Sequence, residues 1–433
     1  MRQELQRQIN EMIELGVASP TISEYSSPVV MVKKADGEYR MCVDLREINK
    51  KIKGDNYPLP HINDILHALN GACWFCVFDM NAGYWQIPIR KSDRHFLAFI
   101  TQDTLCHFNL LPFGLKSAPT FFQRVMDYVL SGLKWSIVVV YLDDLVVMGY
   151  SFDALIKNTG SVLQRFADFG LTIKASKCKF GVTAVTFLGH VISCKGIMMD
   201  RNKVSAILKM EPPTTKRDIR VFLGKVGFYG RFHKNLQVVA QPLTRRLRKD
   251  VEMGWGLEEQ NAFDKIIESL AQYPILRHFD SNLAIELTID ACGIGCGYVL
   301  GQIYSDGFHT TMYGSRQFSD REKLLPPHDQ EAIGLGYACK STESIIKGYK
   351  VTVKTDNCAV CHINRKTKLS PQMMRVALLI QKFEIEHKRG THNKDADCLS
   401  RFPVNPLSNI GDNTKRSIIK HNFKRVGTRF ETA

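Results

Sequence analysis

Two groups of acidic residues stand where metal-dependent chemistry could be done. The first is Asp143-Asp144, which interrupts the run from Ile137 to Val147. Apolar and aromatic residues lead into Leu142, and Leu145-Val146-Val147 follow the pair. β-Branched runs on both sides predict two core strands with the acids at the hairpin tip. Adjacent carboxylates there repel one another, and desolvation opposes their ionisation. A divalent cation removes that conflict, and hard oxygen donors suit magnesium. An ordinary acidic turn is the plainer alternative, although Asp-Asp makes a poorer two-residue turn than Asn-Gly or Asp-Gly. A third acid, Asp79, ends the run Trp74 to Phe78, and the chain then turns through Asn81-Ala82-Gly83. If that strand lies beside the hairpin, three carboxylates face one point and could hold two metals. Such a pair clamps the attacking and leaving oxygens of an in-line phosphoryl displacement.

The second group is Asp290, Glu331, Asp356 and Asp397. Asp290 ends the strand-like AIELTID and Asp356 ends VTVKTD, while Glu331 falls in the first turn of a helix beginning near Asp329. Asp397 lies in NKDADCLSR. Singly, each reads as a strand-end or helix-start acid. Together, carboxylates from adjacent strand ends and one helix are what a two-metal nuclease needs.

The elements that must position these acids divide the chain. Residues 1–192 alternate β-rich runs with amphipathic stretches such as TFFQRVMDYVL. Residues 193–282 are charged and helical. Thr214 and Thr215 are capping candidates there, and Ile219, Phe222, Leu223 and Val226 make one apolar face ringed by Lys216, Arg217, Arg220, Lys225 and Arg231. Residues 283–402 read β-β-β-α-β, a separate mixed α/β domain. Residues 403–433 form a basic tail without apolar period, expected to be poorly ordered.

Composition narrows the classes. Of 433 residues, 44% are hydrophobic and 23% charged, which excludes disordered and collagen-like chains. Apolar runs such as Ile137 to Leu142 are far too short for a bilayer span, and the charged amphipathic start has no signal-peptide core. The expectation is an intracellular protein of cytoplasm or nucleus, not secreted, with no membrane partner. Lys plus Arg number 58 against 43 acids, a surplus of +15 that attracts polyanions. The 12 cysteines include two isolated CxxC pairs, Cys73/Cys76 and Cys358/Cys361, read as small core residues and not as zinc ligands.

Four segments, VFDMNAGYWQI, LPFGLKSAPTFFQRVMD, VYLDDLVV and FLGHVIS, occur in that order and spacing. They resemble the reverse transcriptases of long-terminal-repeat retrotransposons, of the Ty3/Gypsy (metavirus) class, and the likeness runs over nearly all of residues 12–401. ELTIDACGIGCGYVLGQ, His328 to Glu331, VKTDN and GTHNKDADCLSR resemble a ribonuclease H domain. The resemblance implies an α+β fold: a right-hand polymerase with fingers, palm and thumb, then a mixed α/β ribonuclease H-like domain. It implies RNA- and DNA-directed DNA polymerisation plus cleavage of the RNA strand of RNA–DNA hybrids, with two Mg2+ or Mn2+ ions per active site. The implied partners are an RNA template, a DNA primer, their hybrid and dNTPs; the oligomeric state stays open. Asp79, Asp143 and Asp144 would be palm metal ligands, and Asp290, Glu331, Asp356 and Asp397 nuclease ligands. Tyr84 matches the aromatic gate beneath the incoming sugar. Arg40 matches the fingers cation that holds the triphosphate, Lys33 and Lys34 compete for a lysine role, and the backbone at Phe113 and Gly114 borders the nucleotide. Phe187-Leu188-Gly189 resembles a primer-gripping hairpin, and the helix carrying Lys216 and Arg220 a thumb helix that tracks the duplex. The rival reading is a catalytically inactive, element-derived nucleic-acid-binding protein.

The likeness has departures. The helix start reads His328-Asp329-Gln330-Glu331, so Asp329 competes with Glu331, and Asn357 stands where the class usually has histidine. His392 reads as an exposed loop residue or a contact for substrate and product release. Gly293-Ile294-Gly295-Cys296-Gly297 is explained by close strand packing better than by a dinucleotide site. No Asp-Thr-Gly or Asp-Ser-Gly triplet occurs, nor does a zinc-finger entry or integrase core follow Arg401. The expectation is a central slice of a longer polyprotein, beginning near the first fingers helix, with some fingers contacts missing.

Overall fold

The computed structural model describes residues 1–33, 37–272, 274–355, 371–380 and 384–387. The described residues form two compact units, one within Met1–Leu188 with Ile192–Cys194, the other of Gly189–Val191 with the described residues from Lys195 on. Among the described residues no helix is long and apolar enough to cross a membrane.

The first unit is organised by a four-stranded sheet in the order Val138–Tyr141, Asp144–Gly149, Trp74–Asp79 and Lys179–Val182. Val138, Val139, Val140, Leu145, Val146 and Val147 have no exposed surface. Each strand's apolar run is what a strand buried on both faces needs, and each such side chain contributes ~1.5–3 kcal/mol by leaving water. Helix Ala118–Val129 packs on the first of these strands and helix Phe152–Asp168 on the second. Pro119 sits in the first turn of the former helix, whose buried residues are Ala118, Phe122, Gln123, Met126 and Val129. The stretch is amphipathic as expected, with Phe122, Met126 and Val129 buried, and the fully buried Gln123 lies beside them.

A five-stranded sheet in the same unit runs Ala18–Pro20, Leu105–Phe108, Ala98–Ile100, Ser27–Lys33 and Tyr39–Val43. Val32 pairs with Arg40 and Lys33 with Tyr39. Cross-strand partners share a face, so Arg40 and Lys33 point to opposite sides.

In the second unit Thr215 caps helix Lys216–Phe228 through a capping box with Asp218. A further sheet has the order Gly307–Gln317, Gly295–Tyr304, Ile285–Cys292, Val351–Thr355 and Glu384–His387. The first three strands are antiparallel and the last two join in parallel. Helix Pro327–Ile346 packs against Ile285–Cys292 and supplies the crossover to Val351–Thr355. The β-β-β-α-β order is therefore present, followed by helix Pro371–Ile380 and strand Glu384–His387. A side chain at Gly295 would sit 2.4 Å from the Arg316 carbonyl oxygen, and one at Gly297 only 1.7 Å from Asn235 Oδ1. Close packing accounts for both glycines.

Candidate active site

Strands Trp74–Asp79 and Asp144–Gly149 are antiparallel, and Asp79 and Asp144 are register partners at their shared end. Opposed Cα atoms in such a pair lie about 4.5–5.5 Å apart, which brings the distant acids to one edge. Asp143 occupies the connecting turn and is half-buried, while Asp144 is exposed. Burial pushes the Asp143 carboxyl above its ordinary range, and the charges of Asp144 and Asp79 push it the same way. Its Oδ1 is buried with no hydrogen-bond partner among the described residues. Asp79 presents its carboxylate 3.6 Å from Lys177 Nζ, and its carbonyl accepts the Lys174 amide at 2.8 Å.

The turn needs support. Leu142, just before Asp143, has φ 55°, a left-handed conformation that costs a non-glycine residue about 1–3 kcal/mol. Its amide donates to Gln123 Oε1 at 2.8 Å. Gly83, after the left-handed Ala82 (φ 49°), leaves room for the acid, since a Cβ there would lie 3.0 Å from Asp143 Oδ1.

Three of the residues expected at the nucleotide form a chain. The Arg40 guanidinium lies 5.2 Å from the Phe113 ring centroid. Phe113 and Tyr84 rings are 5.0 Å apart, and Tyr84 meets Phe122 edge-on at 5.3 Å. Tyr84 is buried, and burial with the Asp143 charge pushes its hydroxyl up to about 12. Gly114 has φ 90°; its carbonyl accepts Asn49 Nδ2 while Asn49 Oδ1 accepts the Lys116 amide, both at 2.8 Å. Lys33 is exposed on the face opposite Arg40, and Lys34 lies outside the described residues.

Leu188 (φ 46°) and Gly189 (φ 74°) form a left-handed turn after Phe187, whose ring is buried. The Gly189 carbonyl accepts the Tyr229 hydroxyl at 2.9 Å. On helix Lys216–Phe228 the two expected cations differ. Arg220 is exposed, but Lys216 Nζ donates to the carbonyls of Arg248 (2.7 Å) and Val251 (2.6 Å). Its ammonium holds a loop and is not presented to a ligand, because tertiary folding supplies acceptors that a helical wheel cannot show.

At the second cluster Asp290 is half-buried near the end of its strand, with Gly297 as register partner. Glu331 is buried and accepts Thr355 Oγ1 at 2.8 Å, on the last described residue before Asp356. Its competitor Asp329 instead lies 3.9 Å from His328 Nε2. Asp356, Asn357, Cys358, Cys361, His392, Asp397 and the basic tail lie outside the described residues.

Sequence reasoning missed Gln123, Asn49 and Lys177. Only Gln123 had a local signal, a polar residue beside an apolar stripe; the other two act on residues distant in the chain.

Among the described residues no three His, Cys, Asp or Glu side chains form a group that could hold a metal, the palm trio included. The Asp79 carboxylate lies instead 3.6 Å from Lys177 Nζ, which draws it toward that cation. The donor chemistry nevertheless fits a hard divalent cation. The carboxylates end at one sheet edge, and the buried Asp143 Oδ1 accepts no hydrogen bond among the described residues.

A reverse transcriptase (RNA-dependent DNA polymerase) family profile matches residues 32–192, and an RNase H-like domain found in reverse transcriptase matches residues 255–353. The chain is 32% identical, over 99% of its length, to a retrovirus-related Pol polyprotein from transposon 412 of Drosophila melanogaster. It is 30% identical, over 92% of its length, to the transposon Tf2-3 polyprotein of Schizosaccharomyces pombe. It spans about a third of these relatives, 35% and 30% of their lengths. The fold is shared with foamy viral protease-reverse transcriptase at 19% identity. One such structure, in complex with double-stranded DNA, has a TM-score of 0.79 and covers 89% of this chain and 69% of that one. Another, in complex with RNA/DNA hybrid, has a TM-score of 0.72 and covers 95% and 56%.

Proposed function

The chain belongs to the reverse transcriptase and RNase H region of long-terminal-repeat retrotransposon Pol polyproteins, and on that membership we propose that it copies a primed template and cuts RNA–DNA hybrids. The substrates would be an RNA or DNA template, a DNA primer and dNTPs at one site, and the RNA strand of the hybrid at the other. The observation that carries this reading is the convergence of Asp79, Asp143 and Asp144 at one strand end, with a buried carboxylate oxygen of Asp143 lacking a partner among the described residues.

Asp79, Asp143 and Asp144 would hold the divalent ions, Mg2+ or Mn2+, which acidify a primer 3′-hydroxyl and neutralise a triphosphate. The chain's own residues orient the reactants. Arg40, as a planar fork, binds phosphate oxygens, and its stacking on Phe113 fixes its direction. Tyr84 stays protonated through neutral pH, so its ring and hydroxyl form a neutral wall beside Asp143. Asn49 holds the backbone around Gly114 rigid from both sides. At the nuclease site Asp290 and Glu331, joined by Asp356 and Asp397, would hold the second ion pair. The surplus of +15 serves both sites through phosphates, since copying any sequence requires shape and backbone reading in place of base reading.

The test is primer extension on a homopolymer RNA template whose label also reports cleavage. The expected result is extension lost in Asp143→Asn and cleavage lost in Asp356→Asn, with hybrid binding kept in both. A chain that binds hybrid but neither extends nor cuts with Mg2+ or Mn2+ would establish the non-catalytic reading.

A further inference from the structure

Gln123 is fully buried, and its amide faces two ways. Its oxygen accepts the Leu142 amide at 2.8 Å, and its nitrogen donates to Asp127 Oδ1 at 2.8 Å and lies 3.5 Å from the Val140 carbonyl oxygen. An amide can be inserted either way round, and only one way supplies the acceptor that Leu142 needs. An ionised carboxylate is acceptor-only, so Asp127 selects the orientation. Asp127 is itself enclosed: Lys134 Nζ lies 2.5 Å from Oδ1 and the Tyr57 hydroxyl donates to Oδ2 at 2.8 Å. The side chains of Asp127 and Lys134 are only 17% and 13% exposed.

We propose that Asp127, held between Lys134 and Tyr57, is a positioning residue of the polymerase site: it orients Gln123, which holds the left-handed Leu142 and so places Asp143. This rests on the polymerase reading above and extends it to a residue that touches neither substrate nor metal. The relay runs from a helix turn to the hairpin tip in two hydrogen bonds, each near ideal length. Removing the charge lets the Gln123 amide turn over. The Leu142 amide then faces another donor, and a strained turn loses its support.

The test is a double-mutant cycle. Asp127→Asn lets the amide invert, and Gln123→Glu sets two carboxylates against each other. The pair together moves the charge by one partner. The carboxylate introduced at position 123 would still accept from Leu142, and would now accept from the side-chain amide introduced at position 127. Two quantities are read, hydrogen exchange at the Leu142 amide and steady-state primer extension. Each single variant should speed Leu142 exchange above the surrounding strands and lower kcat on the order of 10- to 100-fold, as an ångström-scale misplacement does. KM for dNTP should stay within about twofold, and the double variant should recover most of both losses. Purely structural damage would spread exchange over the unit and would not be rescued by reversing polarity. Unchanged Leu142 exchange in Asp127→Asn, or a double variant as poor as the two singles combined, overturns the relay. Restored exchange in the double variant of a chain that extends no primer would leave the relay standing and sink the polymerase reading.

Discussion

Asp79 and Asp144 are register partners across two antiparallel strands, yet the carboxylate in the least comfortable place belongs to Asp143, one residue before the pair. It is half-buried, it faces the charges of its two neighbours, and its Oδ1 has no hydrogen-bond partner among the described residues. A like-charged cluster at a strand end is costly to a fold by itself and useful to a fold that binds cations.

That cost sets a pH-dependent stability. Burial first, then Asp144 and Asp79, hold the Asp143 pKa above its ordinary value of 3.8. The native state therefore favours the protonated acid. The associated stability is full below the unfolded pKa and is lost as pH rises through the native one. Asp143→Asn should raise the thermal midpoint in EDTA at pH 7, and the gain should vanish as pH falls below the ordinary carboxylate range. Calorimetry across that range checks it; a midpoint lowered at pH 7 would contradict it.

Gly83 is open space kept for a carboxylate. A Cβ there would lie 3.0 Å from Asp143 Oδ1 and 3.3 Å from Phe122 Cζ. Gly83→Ala should lower kcat for primer extension by about tenfold, since small displacements of a reacting group are expensive. Hybrid cleavage by the same chain should not change. Parallel kinetics of the two activities decide it.

Much of this site was legible before the structure. The two valine-rich flanks of Asp143-Asp144 are buried on both faces, and such strands show as continuous apolar runs. Thr215 announced its helix because caps are local chemistry. What stayed hidden depends on closure between distant segments. Asn49 clamps Gly114 from 65 residues away, and Lys177 reaches Asp79 only after the palm sheet forms. The likeness to a thumb helix made Lys216 a ligand-facing candidate, and neither likeness nor charge pattern can show that the Arg248 and Val251 carbonyls come to meet it.

Lys216 and Arg220, four residues apart on one helix, should therefore behave differently. Arg220→Ala should weaken hybrid binding and reduce the slope of log affinity against log salt by about one, as loss of a phosphate contact does. Lys216→Ala should leave that slope unaltered and lower the thermal midpoint, because a loop held from its part-buried side loses its donor. Salt-titrated hybrid binding separates them, and equal slopes for both would refute the distinction.

Gly297 and Asn235 form a tight joint beside Asp290. A methyl group at Gly297 would overlap Asn235 Oδ1 at 1.7 Å, and Gly297 is the register partner of Asp290. Gly297→Ala should destabilise the chain by about 1–3 kcal/mol, the usual range for overpacking, and depress hybrid cleavage. Adding Asn235→Gly removes the clash at a position whose φ of 55° suits glycine. Cleavage should return in that double variant; continued loss would show that the contact is not what limits it.

Whether the palm acids act as one cation site is tested most directly by manganese binding followed by electron paramagnetic resonance. The chain should carry Asp290→Asn and Asp356→Asn, to silence the nuclease acids, and be saturated with primer–template and dNTP on a dideoxy-terminated primer. Bound Mn2+ should then be lost on adding either Asp79→Asn or Asp143→Asn, with hybrid still bound. A manganese titration that neither substitution alters would contradict a shared site at these acids.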